Sequence, residues 1–225
     1  QELEHITRYY EDIEKYKITL AIDDPTSFAL LRIVNCFENL NDDELAVQHY
    51  YKTVKEDPLL DKGWIAITKY YFKKKKYLKA LHYINKAINI DSQNVVYWKL
   101  YSQINHQLNL LEEAERGYKK TLELGNYELE TWIARADILI KLGEFDAALN
   151  NLNQTSEFYP DNEEIEFRLA GLHFLLNNAE DCYIHLNNAL HINHEHSFIM
   201  EELFPLIYKR NSVQKIMANF KNASN

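Results

Sequence analysis

Glycine and proline are scarce, at five and four in 225 residues. That scarcity argues against a turn-rich sandwich and for long helices with short connections. Cysteine is rarer still, at two. Cys36 and Cys182 lie far apart in a chain expected to be rod-like, and a disulfide needs its Cα atoms within about 7 Å. Both are therefore read as free thiols acting as small apolar core residues, which favours a reducing, cytoplasmic compartment. No run approaches the roughly 20 apolar residues that span a bilayer, so membrane insertion is not expected. No secretory signal is recognisable. Gln1 follows no Met and falls inside a repeat, so a trimmed or processed chain is expected, from which a targeting segment could have been lost.

Chemistry is also sparse. No Gly-rich phosphate loop, nucleophile elbow or paired-carboxylate cleft is recognisable, so no enzyme and no cofactor is expected. Neither HExxH nor CxxC occurs. His191, His194 and His196 cluster, but a flexible turn offers a metal neither fixed geometry nor supporting contacts, and no metal site is expected. Asn153 and Asn222 open glycosylation sequons, short matches that arise by chance. The net charge of −9 disfavours general nucleic-acid binding.

What is present is a period. Ala46, Ala80, Ala114, Ala148 and Cys182 follow one another every 34 residues, as do Trp64, Trp98 and Trp132. Such a step marks a solenoid of stacked units, none of which can bury its apolar face alone. The units run 27–60, 61–94, 95–128, 129–162 and 163–196. A partial unit over 1–26 supplies one helix, with a stripe at Tyr9, Ile13, Tyr16, Leu20 and Ile22. In the first whole unit, Phe28, Leu31, Val34 and Phe37 belong to the first helix. Residues 197–225 form a degenerate, capping unit. There Phe204 occupies a place held elsewhere by Val34, Thr68, Ser102, Ala136 and Ala170, and is expected to push its partner helix away. Pro205 is expected to kink or interrupt the helix.

Trp64, Ile67, Thr68, Tyr71, Ala80, Ile84 and Ala87 in the second unit resemble the tetratricopeptide repeat. So do Ile33, Val34, Phe37, Ala46, Tyr50 and Pro58 in the first, and Trp132, Ala136, Leu139, Ala148, Leu152 and Pro160 in the fourth. The resemblance implies an all-α fold, a right-handed α-solenoid forming one superhelix over 1–225. Small residues mark where paired helices cross: Thr68 with Ala80, Ser102 with Ala114, Ala136 with Ala148. The aromatic stripes are core. Arg135 departs from the pattern and must reach water, a carboxylate or carbonyls, because a buried unpaired charge is costly. Asn105 and His173 replace the usual aromatic.

The resemblance also implies protein–protein interaction: an adaptor or assembly scaffold taking a peptide or helix in a groove lined by first helices. Carried over by position, the groove residues are Lys62, Lys69, Lys73, Lys99, Gln103, Phe167, Arg168 and Phe174. The lysines form a basic stretch suited to an acidic partner segment. Phe167, Phe174 and Leu175 form an apolar one. Charge runs on helices are usually just solvated, which is the competing reading for the lysines. The five-residue carboxylate clamp of some co-chaperones maps onto Lys99, Gln103, Ala134, Glu164 and Arg168. Only Lys99 and Arg168 fit, so that ligand is not expected. Two other readings stay open: the regulatory arm of a larger enzyme or sensor, and RNA binding by related 35-residue repeats, against which the 34-residue step and the charge argue. Self-association is left open.

Overall fold

The computed structural model describes residues 2–22 and 43–223. Among them every regular element is helical. The expected helix at Phe28–Phe37, the stop at Asp23–Pro25 and Cys36 lie outside the described residues. The chain divides into two compact units, 1–109 and 110–225.

The first unit holds α1 (Glu2–Ile22), α2 (Asp43–Glu56), α3 (Asp61–Lys73), α4 (Tyr77–Ile90) and α5 (Val95–Gln107). Helices α2 to α5 pack each on the next. On α1, Ile13 is buried. Thr68 and Ala80 are both fully buried on the paired helices α3 and α4. A buried hydroxyl needs a partner, and Thr68 Oγ1 donates to the Trp64 carbonyl one turn back, at 2.8 Å. Ser102 does the same to Trp98 at 2.7 Å. The indole N–H groups of Trp64 and Trp98 reach carbonyls six residues upstream, those of Pro58 and Ser92, each at 2.9 Å. These bonds pin each connection to the helix that follows it. Gly63 is required by close approach, because a Cβ there would collide with Val54.

The second unit holds α6 (Leu111–Glu123), α7 (Leu129–Leu142), α8 (Phe145–Phe158), α9 (Glu163–Leu175) and α10 (Ala179–Asn193). A 3₁₀ turn, His194–Ser197, leads to α11 (Phe198–Leu203), α12 (Pro205–Tyr208) and α13 (Asn211–Ala223). Ala136 and Ala148 are fully buried on the paired helices α7 and α8, and Cys182 is buried on α10. Arg135 finds the carboxylate its position demands: Nε and Nη2 donate to Glu115 Oε1 at 2.9 and 2.7 Å, and Nη1 to Asn151 Oδ1 at 3.2 Å. Asn105, in the first unit, satisfies its own helix by donating to the Tyr101 carbonyl at 2.8 Å.

Pro205 does interrupt the helix, and α12 restarts with it in the first turn. Phe204 is turned into the core. It is 3% exposed, and its ring covers Gly171 of α9, where a Cβ would overlap it. With the helix broken at this point, α11 packs on α9 and also reaches α7. Ile199, Met200, Phe204, Ile207, Val213 and Met217 join one core with Phe167 and Leu169.

The inter-helix turns share one backbone device. Lys75, Asn109, Gly143 and Asn177 stand 34 residues apart, and all four have left-handed φ, of 56°, 57°, 76° and 59°. A left-handed residue just past a helix end lets the following N–H groups return to the last carbonyls. Lys76 N donates to Tyr71 O at 2.8 Å, Glu144 N to Leu139 O at 2.9 Å and Asn178 N to His173 O at 2.8 Å.

Candidate binding concavity of the first unit

Helix α3 places Lys62, Lys69 and Lys73 along one side, and all three are exposed. Lys62 and Lys69 are seven residues apart, which on a helix is two turns and about 10 Å. With Asp43, Ala46, Val47 and Tyr50 of α2, and Ile65, Ala66 and Tyr70 of α3, they line a concavity of about 340 Å³. Of its apolar residues, Ala46, Val47 and Ile65 are buried, at 4%, 6% and 9% exposed, and the half-buried Tyr50, Ala66 and Tyr70 carry the surface that a ligand can reach. The site is thus a half-buried, largely aromatic wall beside ammonium groups.

The cations differ in how they are held. Lys73 Nζ lies 2.6 Å from Asp43 Oδ2, and neighbouring Lys74 lies 3.2 Å from Glu44 Oε1. The Tyr70 hydroxyl donates to Glu44 Oε2 at 2.6 Å. That bond raises the phenol to about 12, because ionising it would break the bond and set an anion beside a carboxylate. The same donation, with Lys74, lowers the Glu44 carboxyl. Lys62 and Lys69 have no ion-pair partner among the described residues. Their charge is available to a ligand, whereas that of Lys73 is already engaged.

The other expected groove residues are placed differently. Lys99 and Gln103 are half-buried on α5 and do not line this concavity. Phe167, in the second unit, is 0% exposed. It is a core residue and offers no surface to a partner, because it shares its core with Ile199, Met200 and Phe204 of the segment from α11 onward, whereas Leu175 of the same expected stretch is exposed. Phe174 is half-buried, with the Arg210 guanidinium 4.5 Å from its ring centroid. Arg168 is committed: Nε and Nη2 donate to the two Asp137 oxygens at 2.6 and 2.9 Å, and Nη1 donates to the Glu164 carbonyl at 2.8 Å. A bidentate pair of this kind holds both geometry and charge.

The histidines at the end of α10 diverge. His191 Nδ1 sits 2.8 Å from the Asn187 carbonyl, and His196 Nδ1 lies 3.0 Å from Glu163 Oε1. Among the described residues no group of three His, Cys, Asp or Glu could hold a metal ion. None of the described helices is long and apolar enough to cross a membrane.

The sequence profile of the tetratricopeptide repeat matches residues 62–94 and 129–162. Those segments are the helix pairs α3–α4 and α7–α8. The chain thus carries tetratricopeptide repeats at these two segments. Its fold is the all-α fold of such solenoids. Among solved structures it is similar to YrrB, described as a tetratricopeptide-repeat protein with an unusual peptide-binding site. That likeness has a TM-score of 0.74 and 17% identity, over 84% of this chain and 98% of that one. It is similar to MamA, at a TM-score of 0.66 and 14% identity over 76% and 94%. It is also similar to PilF of Pseudomonas aeruginosa, at 0.58 and 14% over 96% of each chain. No curated protein matches the chain by sequence.

Charge divides unevenly between the two units. Residues 1–109 hold fifteen Lys and Arg against fifteen Asp and Glu, whereas 110–225 hold ten against nineteen. The whole net charge of −9 therefore belongs to the second unit. The concavity lies in a neutral unit, so its lysines work against no general acidic background there.

Proposed function

We propose that the chain is a protein-interaction scaffold whose first unit takes an acidic segment of a partner in the concavity beneath Lys62 and Lys69. The observation that carries the reading is the pair of exposed ammonium groups, without an ion-pair partner among the described residues, beside the half-buried Tyr50, Ala66 and Tyr70. Cations at a rim attract carboxylates over a distance and set the association rate, while apolar burial slows release. The fitting ligand has Asp or Glu on both sides of an aliphatic or aromatic residue. YrrB, a tetratricopeptide-repeat protein of similar fold, has a peptide-binding site, which supports this class of function.

The test uses a fluorescent peptide with a leucine flanked by glutamates, titrated into the whole chain across a salt series. Binding should weaken as salt rises, because solvent-exposed charges are screened. The Lys62→Glu/Lys69→Glu variant should lose it. A variant that binds the peptide like the wild-type chain at low salt would show that these lysines are merely solvated.

A further inference from the structure

The second unit presents a segment with the chemistry that this concavity fits. Leu206 is 85% exposed, the most exposed of the described large apolar side chains, and Phe198 is 48% exposed. Between them stand Glu201 and Glu202, both exposed. Neither carboxylate has an ion-pair partner among the described residues. The segment is held in place from behind: Ile199, Met200 and Phe204 are buried in the core of the unit. The segment thus exposes two carboxylates between two apolar side chains on a backbone anchored by the core, which avoids much of the ordering cost of binding.

We infer that the occupant of the Lys62–Lys69 concavity is the Phe198–Leu206 segment of a second copy of this chain. The inference rests on the reading of the concavity given above and names its partner. Charge complementarity supports it. The unpaired cations lie in the neutral unit, and the unpaired carboxylates lie in the unit that carries the entire net charge. The half-buried Tyr50, Ala66 and Tyr70 accept Leu206, and Glu201 and Glu202 meet Lys62 and Lys69. The contact joins two different surfaces, so it is heterologous. Each added copy leaves one surface of each kind unused, and association continues into a ring or an open filament.

Sedimentation velocity on the whole chain, over a concentration series at low and high salt, tests this. Mean mass should rise with concentration at low salt and return to that of a monomer at high salt. Lys62→Glu/Lys69→Glu and Glu201→Lys/Glu202→Lys should each be monomeric alone. Mixed together they should associate, because every contact then pairs opposite charges again. A wild-type chain that stays monomeric at low salt, or reversed variants that associate as it does, overturns the inference. The peptide titration separates the two claims. Lysine-dependent peptide binding by a monomeric chain rejects self-docking and leaves the concavity as a site for a foreign acidic segment. Loss of both rejects both.

Discussion

The ring of Phe204 occupies the space that a Cβ on Gly171 would need. This contact joins the last part of the chain to α9 and decides which groove residues remain accessible. Gly171 is therefore a packing requirement, since its helical backbone asks for nothing special.

Gly171→Ala should destabilise the second unit by roughly 1–3 kcal/mol, the usual cost of overpacking a filled core. Denaturant unfolding measures it. Phe204→Leu in the same chain should recover part of the loss, because adjacent residues couple. Equal destabilisation with and without Phe204→Leu would show that the two residues do not press on each other.

The four left-handed turn residues give a second prediction. Lys75 adopts φ 56° with a side chain, where Gly143 adopts 76° without one. A non-glycine residue in this region costs about 1 kcal/mol. Lys75→Gly should raise the thermal midpoint, and Gly143→Ala should lower it by a similar free energy. Neither substitution removes a packing contact, so opposite signs isolate the backbone effect.

His173 stacks on His185, with ring centroids 5.1 Å apart and planes 9° from parallel. Burial lowers the His173 pKa, the charge of His185 lowers it further, and Asp181 opposes both. The folded chain thus resists a proton that the unfolded chain accepts near pH 6.5. Stability from this group is complete above that pH and is lost as pH falls from it toward the lower folded value. His173→Phe, which restores the aromatic usual at this place, should flatten the fall in stability as pH drops below about 6.5. An unchanged slope would assign the pH dependence to other groups.

The 34-residue step made the helix pairs legible, because their small crossing residues repeat in register. Ala80 and Ala148 are fully buried, and Cys182 is 1% exposed with a thiol raised by burial. The need of Arg135 for a carboxylate was legible as well. That the carboxylate belongs to Glu115 was not, since many acids lie within reach of a flexible side chain. The burial of Phe167 was hidden for a different reason. Position in a repeat marks a groove residue only while the next unit stacks regularly. The break at Phe204–Pro205 was readable, but the direction the chain takes after it depends on the vacancy at Gly171, in another unit of the period. Arg168 was likewise a groove residue by position, and only the fold brings Asp137, 31 residues away, against it.

The most direct test of the central claim is amide hydrogen exchange on the whole chain, with and without the glutamate-flanked leucine peptide. Ligand contact and rigidification should slow exchange over α2 and α3, between Asp43–Tyr50 and Lys62–Lys73, and leave α9 unchanged. Peptide binding with protection confined to the second unit would contradict the account, as would no binding at all.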